Sequence, residues 1–348
     1  MMRRKHWVIA AAIPLLLAAA DVVYWRIAAE RLRTGLLDWV TEQTEKGWEC
    51  GSSPVSIGGW PGTATVTVPN LTLRHAGSTI PGRVELAASS IALSVSLLNP
   101  TVLALSLTGP LHVRAGAEPD MIVTADQASV SVPLRRTGPL YLNLHANALR
   151  VEPASGAWQA TLGLLNAEAE ITTDADRDES EPSATFIVTS EAIALPAGIK
   201  WPLGPNISSV SLEGALNGAL PGRRDVKGWA EAWRDGGGSL EVKHLAIGWG
   251  PLGLTSTATL ALDDQLQPMG TGSGRIVGYA ETLDRLAAGG KLTKSAATAA
   301  KAVLSLMAGT SDADEPSSVD VPLTLQYRTL SMRQVPLVRL PEVDWPAR

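Results

Sequence analysis

One cysteine stands in the whole chain, Cys50, so an intrachain disulfide is excluded. Histidines are also few. His6, His75, His112, His145 and His244 are isolated, and none is followed two to four residues later by a second ligand, as would suggest a local zinc site. Aromatic residues make up 5% of the chain, with a single phenylalanine, Phe186, beside eleven tryptophans. Charged residues reach 18%, below the usual share of about 25%. At a net charge of -5 there is no basic footprint for nucleic acid. No G-x-S-x-G elbow, H-E-x-x-H pair or P-loop occurs. The chain is therefore expected to hold no catalytic, cofactor-binding or metal-ligating set and to be no enzyme.

What is there begins at the N-terminus. Met1-Met2-Arg3-Arg4-Lys5-His6 is a basic cap, and Trp7 to Ala20 is apolar. After Asp21 the apolar character resumes at Val22-Val23 and closes on Tyr24-Trp25, an aromatic pair suited to a membrane interface. As a helix, Trp7 to Trp25 would be about 28 Å long, close to a hydrocarbon core of about 30 Å. Ala18-Ala19-Ala20 also fits a small-residue cleavage site. The helical period, however, runs on through Trp25, Ala28, Leu32, Leu36, Trp39 and Val40. An uncleaved anchor is the simpler reading. Positive charge stays in the cytoplasm, so the expectation is a single-pass inner-membrane protein with its bulk in the periplasm. Residues 1–44 would be the anchor helix and its periplasmic extension, and 45–348 a β-rich domain.

After Gly47 the period changes from 3.6 to 2. Thr63 to Val68, Ile91 to Leu97, Leu103 to Leu107, Leu140 to Ala146 and Leu323 to Tyr327 alternate apolar with small polar residues, the mark of antiparallel strands with one apolar face. Further strands are expected at 111–114, 122–132, 161–171, 185–195, 208–216, 239–247, 255–262 and 274–277. Turns are expected at Asn99-Pro100, Gly109-Pro110, Thr137-Gly138-Pro139, 153–156, Pro221-Gly222 and 235–238. The second faces carry Ser, Thr and Ala, which suits packing on another sheet or lining a groove. Helices are expected at 225–234 and in an Ala-rich pair at 282–288 and 294–308, the latter with a packing stripe of Ala300, Val303, Leu304 and Met307. Charged tracts at 174–182 and 311–318 read as loops, the first marking a candidate subdivision near 173–183. The fold class is mainly β: a large curved antiparallel sheet or sandwich with an N-terminal membrane helix and a short C-terminal helical insertion.

Gly248-Trp249-Gly250-Pro251-Leu252-Gly253 matches G-x-G-x-x-G. Pro251 leads into more strand, and without a helix N-terminus the phosphate-binding reason is gone, so a strand-connecting turn and no nucleotide are expected. Gly270 to Gly274 reads as a bulged strand entry. Tryptophan recurs beside Pro or Gly, at Gly59-Trp60-Pro61, Trp201-Pro202, Trp249-Gly250-Pro251 and Trp345-Pro346. Such residues plug the ends of a sheet core, stack on carbohydrate, or sit at a membrane interface.

Several pieces in order resemble a known family. They are the N-terminus ending Tyr24-Trp25, the helix to Trp39, Gly47-Trp48-Glu49-Cys50 before Gly58-Gly59-Trp60-Pro61, and Trp229 before Gly237-Gly238-Ser239-Leu240. Ile247 to Leu252, Leu262-Asp263 with Gln267 to Gly270, and the closing Val335 to Pro341 follow. That order resembles the uncharacterised alphaproteobacterial DUF2125 family over almost the whole chain. More loosely, the layout is similar to AsmA-like envelope proteins, with one membrane helix followed by long sheets. The resemblance supplies no catalytic residues. The AsmA-like layout implies a role in envelope organisation, and the one-face-apolar strands with little charge on their second faces add the expectation that lipid or acyl chains bind in an apolar groove that Leu105 and Leu142 would line. An interaction scaffold for other envelope proteins is the alternative, and an envelope hydrolase with residues drawn together from afar is the third reading. The expected partners are the inner membrane and, beside it, lipid or other envelope proteins.

Overall fold

In a computed structural model the helical period of the N-terminus holds without a break. α1 (Met2–Glu45) is one helix of 44 residues, about 66 Å long at about 1.5 Å per residue. It stops at Gly47, whose φ of 86° suits a residue without Cβ, and whose N–H donates to the Thr44 carbonyl at 3.0 Å. The structure describes residues 2–75, 84–116, 119–134, 138–172, 181–220, 226–308, 318–332 and 335–345.

The rest is mostly strand. β1 (Trp48–Gly51), β2 (Ser56–Gly58), β3 (Thr63–His75), β4 (Val84–Ser96) and β5 (Val102–Ala115) come first. β6 (Met121–Thr124), β7 (Gln127–Pro133), β8 (Leu140–Pro153), β9 (Ala160–Ile171), β10 (Ala184–Ala194) and β11 (Asn206–Asn217) follow. After α2 (Val226–Asp235) come β12 (Ser239–Trp249), β13 (Leu252–Leu262) and β14 (Pro268–Val277). Helices α3 (Tyr279–Ala288) and α4 (Lys294–Ala308) precede β15 (Ser318–Gln326), β16 (Thr329–Met332) and β17 (Val335–Arg339). All 17 strands belong to one sheet. Pairing is antiparallel and follows chain order: β1 and β2 share one edge of β3, and β6 and β7 lie between β5 and β8.

Cross-strand partners point to the same side of a sheet, so register assigns the faces. One row runs Val66, Leu93, Leu105, Val130, Leu144, Ala167, Val188, Leu212 and Leu245, each the partner of the last. It continues through Ser256 and Gly274 to Val321. The neighbouring row, on the opposite face, runs Thr65, Ser94, Ala104, Ser131, Asn143, Glu168, Ile187 and Glu213. One face is therefore apolar from β3 to β12, and the other, traced from β3 to β11, is mostly polar.

The strands are longer than strict alternation predicts, because the alternation changes phase along a crease. From β3 to β11 the ladder skips one facing pair along this line, Asn70 with Ser89, Ala148 with Gly163, Gly163 with Ala192 and Ala192 with Ser208, and the register is kept across each; between β4 and β5 it shifts, with Gly109-Pro110 opposite Ser89. Asn70, Ala148 and Ala192 have φ near +50°, a left-handed backbone that interrupts the strand's regular alternation. Side-chain parity flips across this line, and the sequence flips with it: Ile91 and Leu93 share the apolar face with Leu71 and Leu73, the partners of Ala88 and Leu86. Residues on the crease are small because neighbours crowd there. A Cβ on Gly163 would lie 2.8 Å from the Ala192 Cβ. Such bends let a sheet this wide curl, since twisted open sheets rarely exceed about ten strands flat.

Among the described residues the helices that pack most on the sheet do so near its ends. α1 packs on β1, β3 and β4, and α4 on β15. Under α4, Tyr279, Val319 and Val321 are buried, with Ile276, Leu304, Met307, Leu323 and Met332 around them. Along β8 to β11 the apolar-face side chains Leu142, Leu144, Leu162, Val188 and Leu212 are only half-buried. The chain exposes 21624 Å², where a compact protein of its 36.5 kDa would expose roughly 13,500 Å². The open sheet and the long first helix both add to that excess.

Several local expectations are corrected. Gly109-Pro110 is a bulge inside β5 rather than a turn. Residues 122–132 divide into β6 and β7, with Asp126 N–H bonded to Asn147 O at 3.0 Å. Gly270 to Gly274 sits in a regular stretch of β14 without a register slip. Val303, expected to pack, is 49% exposed, while Leu304 and Met307 turn inward. The Ser/Thr face meets no second sheet: Thr255, Thr257, Thr259, Thr271 and Ser273 are exposed. The charged tracts at 174–182 and 311–318, and the turns at Thr137 and Pro221-Gly222, lie largely outside the described residues.

Candidate functional site

The second half of α1 lies over the apolar face at β3 to β5 and encloses a cavity of about 480 Å³, within the span of about 300–1,000 Å³ typical of ligand pockets. Helix residues Leu32, Leu36 and Trp39 form one wall, at the spacing of a single helical face. Val68, Leu71, Leu73, Ile91, Leu93, Leu103 and Leu105 form the floor, with Leu134 beside them. The left-handed backbone at Asn70, with φ of 49°, explains how Val68 and Leu71, three apart, share this floor. Arg31 is the one charged residue in the lining. It is exposed, so its guanidinium can stay in water while its stem covers apolar surface.

Leu105 thus lines the cavity. Leu142 does not: it lies further along the same apolar face, in the row Leu142, Ala169, Phe186, Gly214 and Val242. In this row Phe186 lies flat over Gly214, where a Cβ would come within 2.6 Å of its ring. The two leucines therefore belong to one surface, Leu105 beneath α1 and Leu142 on the open part.

The opposite face is solvated and laced with ion pairs. Arg275 holds Asp320 by two hydrogen bonds of 2.8 and 3.0 Å, which lower the Asp320 pKa. Tyr141 donates to Glu170 at 2.8 Å, and that bond, with its negative charge, raises the Tyr141 pKa. His145 contacts Asn166 at 2.7 Å and Asn147 at 3.1 Å, an ordinary polar ladder. Among the described residues no three of His, Cys, Asp and Glu come together as a metal site needs.

The tryptophans beside Pro and Gly tie turns together. Trp201 Nε1–H donates to Pro196 O at 3.0 Å, Trp249 to Gly204 O at 2.8 Å and Trp345 to Leu266 O at 2.7 Å. Trp201 and Trp249 meet edge to face, with ring centres 6.3 Å apart. Gly250 and Pro251 form the tight turn from β12 to β13; a Cβ at Gly250 would lie 2.5 Å from Leu203 O. The G-x-G-x-x-G stretch thus joins two strands. Gly59, Trp60 and Pro61 form a different kind of turn, between β2 and β3, where the Trp60 side chain is 55% exposed. Sequence reasoning missed Gln267, whose buried amide donates to Val343 O at 3.0 Å and accepts from Val343 N–H at 2.9 Å. That bond docks the last segment onto the β13–β14 turn. Its only sequence signal is its place beside Leu262-Asp263 in the motif order.

Among the described residues no helix is long and apolar enough to cross a membrane. The apolar stretch from Trp7 to Leu17 lies outside the residues whose side chains are described. A family model described as "Uncharacterized protein conserved in bacteria (DUF2125)" matches residues 25–341. No curated protein and no solved structure matches the chain. The chain belongs to the DUF2125 family.

Proposed function

We propose that this DUF2125 protein is a single-pass, inner-membrane-anchored periplasmic protein that shields lipid acyl chains on the apolar face of its sheet. The observation that carries this reading is the unbroken apolar row from Val66 to Leu245, left open by the helices along β8 to β11. An open apolar surface of that extent marks a ligand or partner site on a soluble domain. A flexible apolar chain fits it better than a rigid polar ligand does, since the face offers few hydrogen-bonding groups. Each methylene removed from water contributes about 0.8 kcal/mol. Ten would supply about 8 kcal/mol, comparable to the cost of about 4–15 kcal/mol for immobilising a ligand. The basic and apolar N-terminus supports the anchor, which would hold the groove beside its lipid source.

The scaffold alternative needs free strand edges. The two edges here are short and interrupted: β17 holds Pro336, and Pro54 separates β1 from β2. Such edges discourage strand addition, which favours the lipid reading. Full-length protein purified from membranes in mild detergent and extracted with organic solvent should yield phospholipid or fatty acid in near-stoichiometric amount by mass spectrometry. Lipid at the level of an unrelated anchored protein would contradict the proposal.

A further inference from the structure

We infer that the sheet rim where α1 departs is itself a bilayer-contact surface, seated among the headgroups of the near leaflet. The inference rests on the anchored reading above and adds a second, independent membrane contact to it. Three turns meet at this rim: Gly59 to Gly62 between β2 and β3, Leu97 to Thr101 between β4 and β5, and Leu134 after β7. They are tied in sequence. Leu97 N–H donates to Gly62 O, and Leu134 N–H to Thr101 O, each at 2.8 Å.

α1 crosses the sheet edge at the same place. Trp25 Nε1–H donates to Gly58 O at 3.1 Å, and Tyr24, Ile27 and Ala28 share a cavity of about 280 Å³ with Val95, Pro100 and Leu134. Before Tyr24 the helix continues past the rim, with Val22 and Val23 exposed. Its sequence there is the apolar stretch from Trp7. The rim turns expose apolar side chains beside it: Leu98 is 95% exposed, Trp60 55%, Leu134 48% and Ile57 42%. Neither Ser56 to Gly62 nor Leu97 to Thr101 holds a charged residue.

Scattered exposed apolar side chains are ordinary. Here they come from separate turns, converge on one rim, and flank the departing apolar helix. Whatever covers them must also surround that helix, and the occupant of such a space is a lipid bilayer. Tryptophan suits the headgroup level, where one end of the ring is dry and the other wet. The cavity beneath α1 starts next to this rim through the shared residues Arg31, Leu32 and Leu134, so a lipid leaving the leaflet would meet apolar surface at once.

The test uses the full chain with Cys50→Ser as background and single cysteines carrying an environment-sensitive fluorophore. The protein is reconstituted into phosphatidylcholine vesicles containing a headgroup-level nitroxide lipid. Leu98→Cys reports the rim, Thr257→Cys the solvated face, and Leu16→Cys the apolar helix. The Leu98 probe should show blue-shifted emission and nitroxide quenching, and the Thr257 probe neither. If the Leu16 probe is shielded from water while the Leu98 probe matches that at Thr257, the anchor stands and the rim inference falls. If the Leu16 probe also behaves as in water, the anchored reading fails and takes the rim with it. Equal quenching at Leu98 and Thr257 would deny the rim any special place.

Discussion

Alanine at Gly270 is expected to destabilise the sheet by about 3 kcal/mol or more, at the severe end for a single substitution. On the apolar face of β14, Gly270 and Gly272 stand where the β13 backbone approaches most closely. A Cβ on Gly270 would lie 2.0 Å from Thr259 O and 2.9 Å from the Leu260 Cα. Both neighbours are backbone, held in the β13–β14 ladder, so relief requires breaking that ladder. Gly58→Ala is the matched control, since a Cβ there meets nothing within 4 Å, and its effect should stay within about 0.5 kcal/mol. Urea unfolding followed by circular dichroism measures both. A Gly270→Ala midpoint equal to that of Gly58→Ala would contradict the register of this part of the sheet.

Aspartate at Leu105 or Leu142 is expected to empty the lipid face while leaving the sheet folded. At Leu105 a carboxylate would enter the cavity beneath α1, among Leu93, Leu103 and Leu36. Either the charge stays desolvated at a cost of several kcal/mol or the cavity opens to water. Leu142 is half-buried on the open part of the face, so a carboxylate there keeps water in the free protein and loses it only when an acyl chain arrives. Co-purified lipid should fall at least several-fold in Leu142→Asp with unchanged far-ultraviolet dichroism. Leu105→Asp should show the same loss with some loss of stability. Unfolding of both variants would mark the two leucines as plain core residues.

Much of the fold can be read from residue pattern alone, in places where the pattern has something to act on. Thr63 to Val68 and Leu140 to Ala146 alternate cleanly, and their register in β3 and β8 keeps every apolar member on one face. The helix to Glu45 follows from a period that never breaks before Gly47. Strand lengths were hidden by the crease, because a left-handed residue at Asn70 or Ala148 reverses the alternation and looks like an end. Gly109-Pro110 carries every sign of a turn, yet the crease uses it as a bulge in mid-strand. Gly270 to Gly274 offers only Thr271 and Ser273 on one face and no apolar side chain on the other. The apolar face was legible in outline, since Leu105 and Leu142 stand on alternating segments. The cavity was not, because nothing local states that Leu32, Leu36 and Trp39 lie over β3 to β5. Only the docking of α1 brings them there, with Ala29, 2% exposed, packed in the body of the protein.

The central claim is that lipid lies on one face of the sheet and not on the other. Val188 and Thr189 are neighbours on β10 that point to opposite faces, Val188 in the row with Ala167 and Leu212 and Thr189 in the row with Asn166 and Ser211. A photo-crosslinking benzophenone residue placed at each position in turn, in the full chain within intact cells, reads the two faces separately. The account predicts covalent phospholipid or fatty acid on the protein at position 188 and none at position 189. Equal labelling at both positions, or no lipid adduct at 188 in a folded protein, would contradict it.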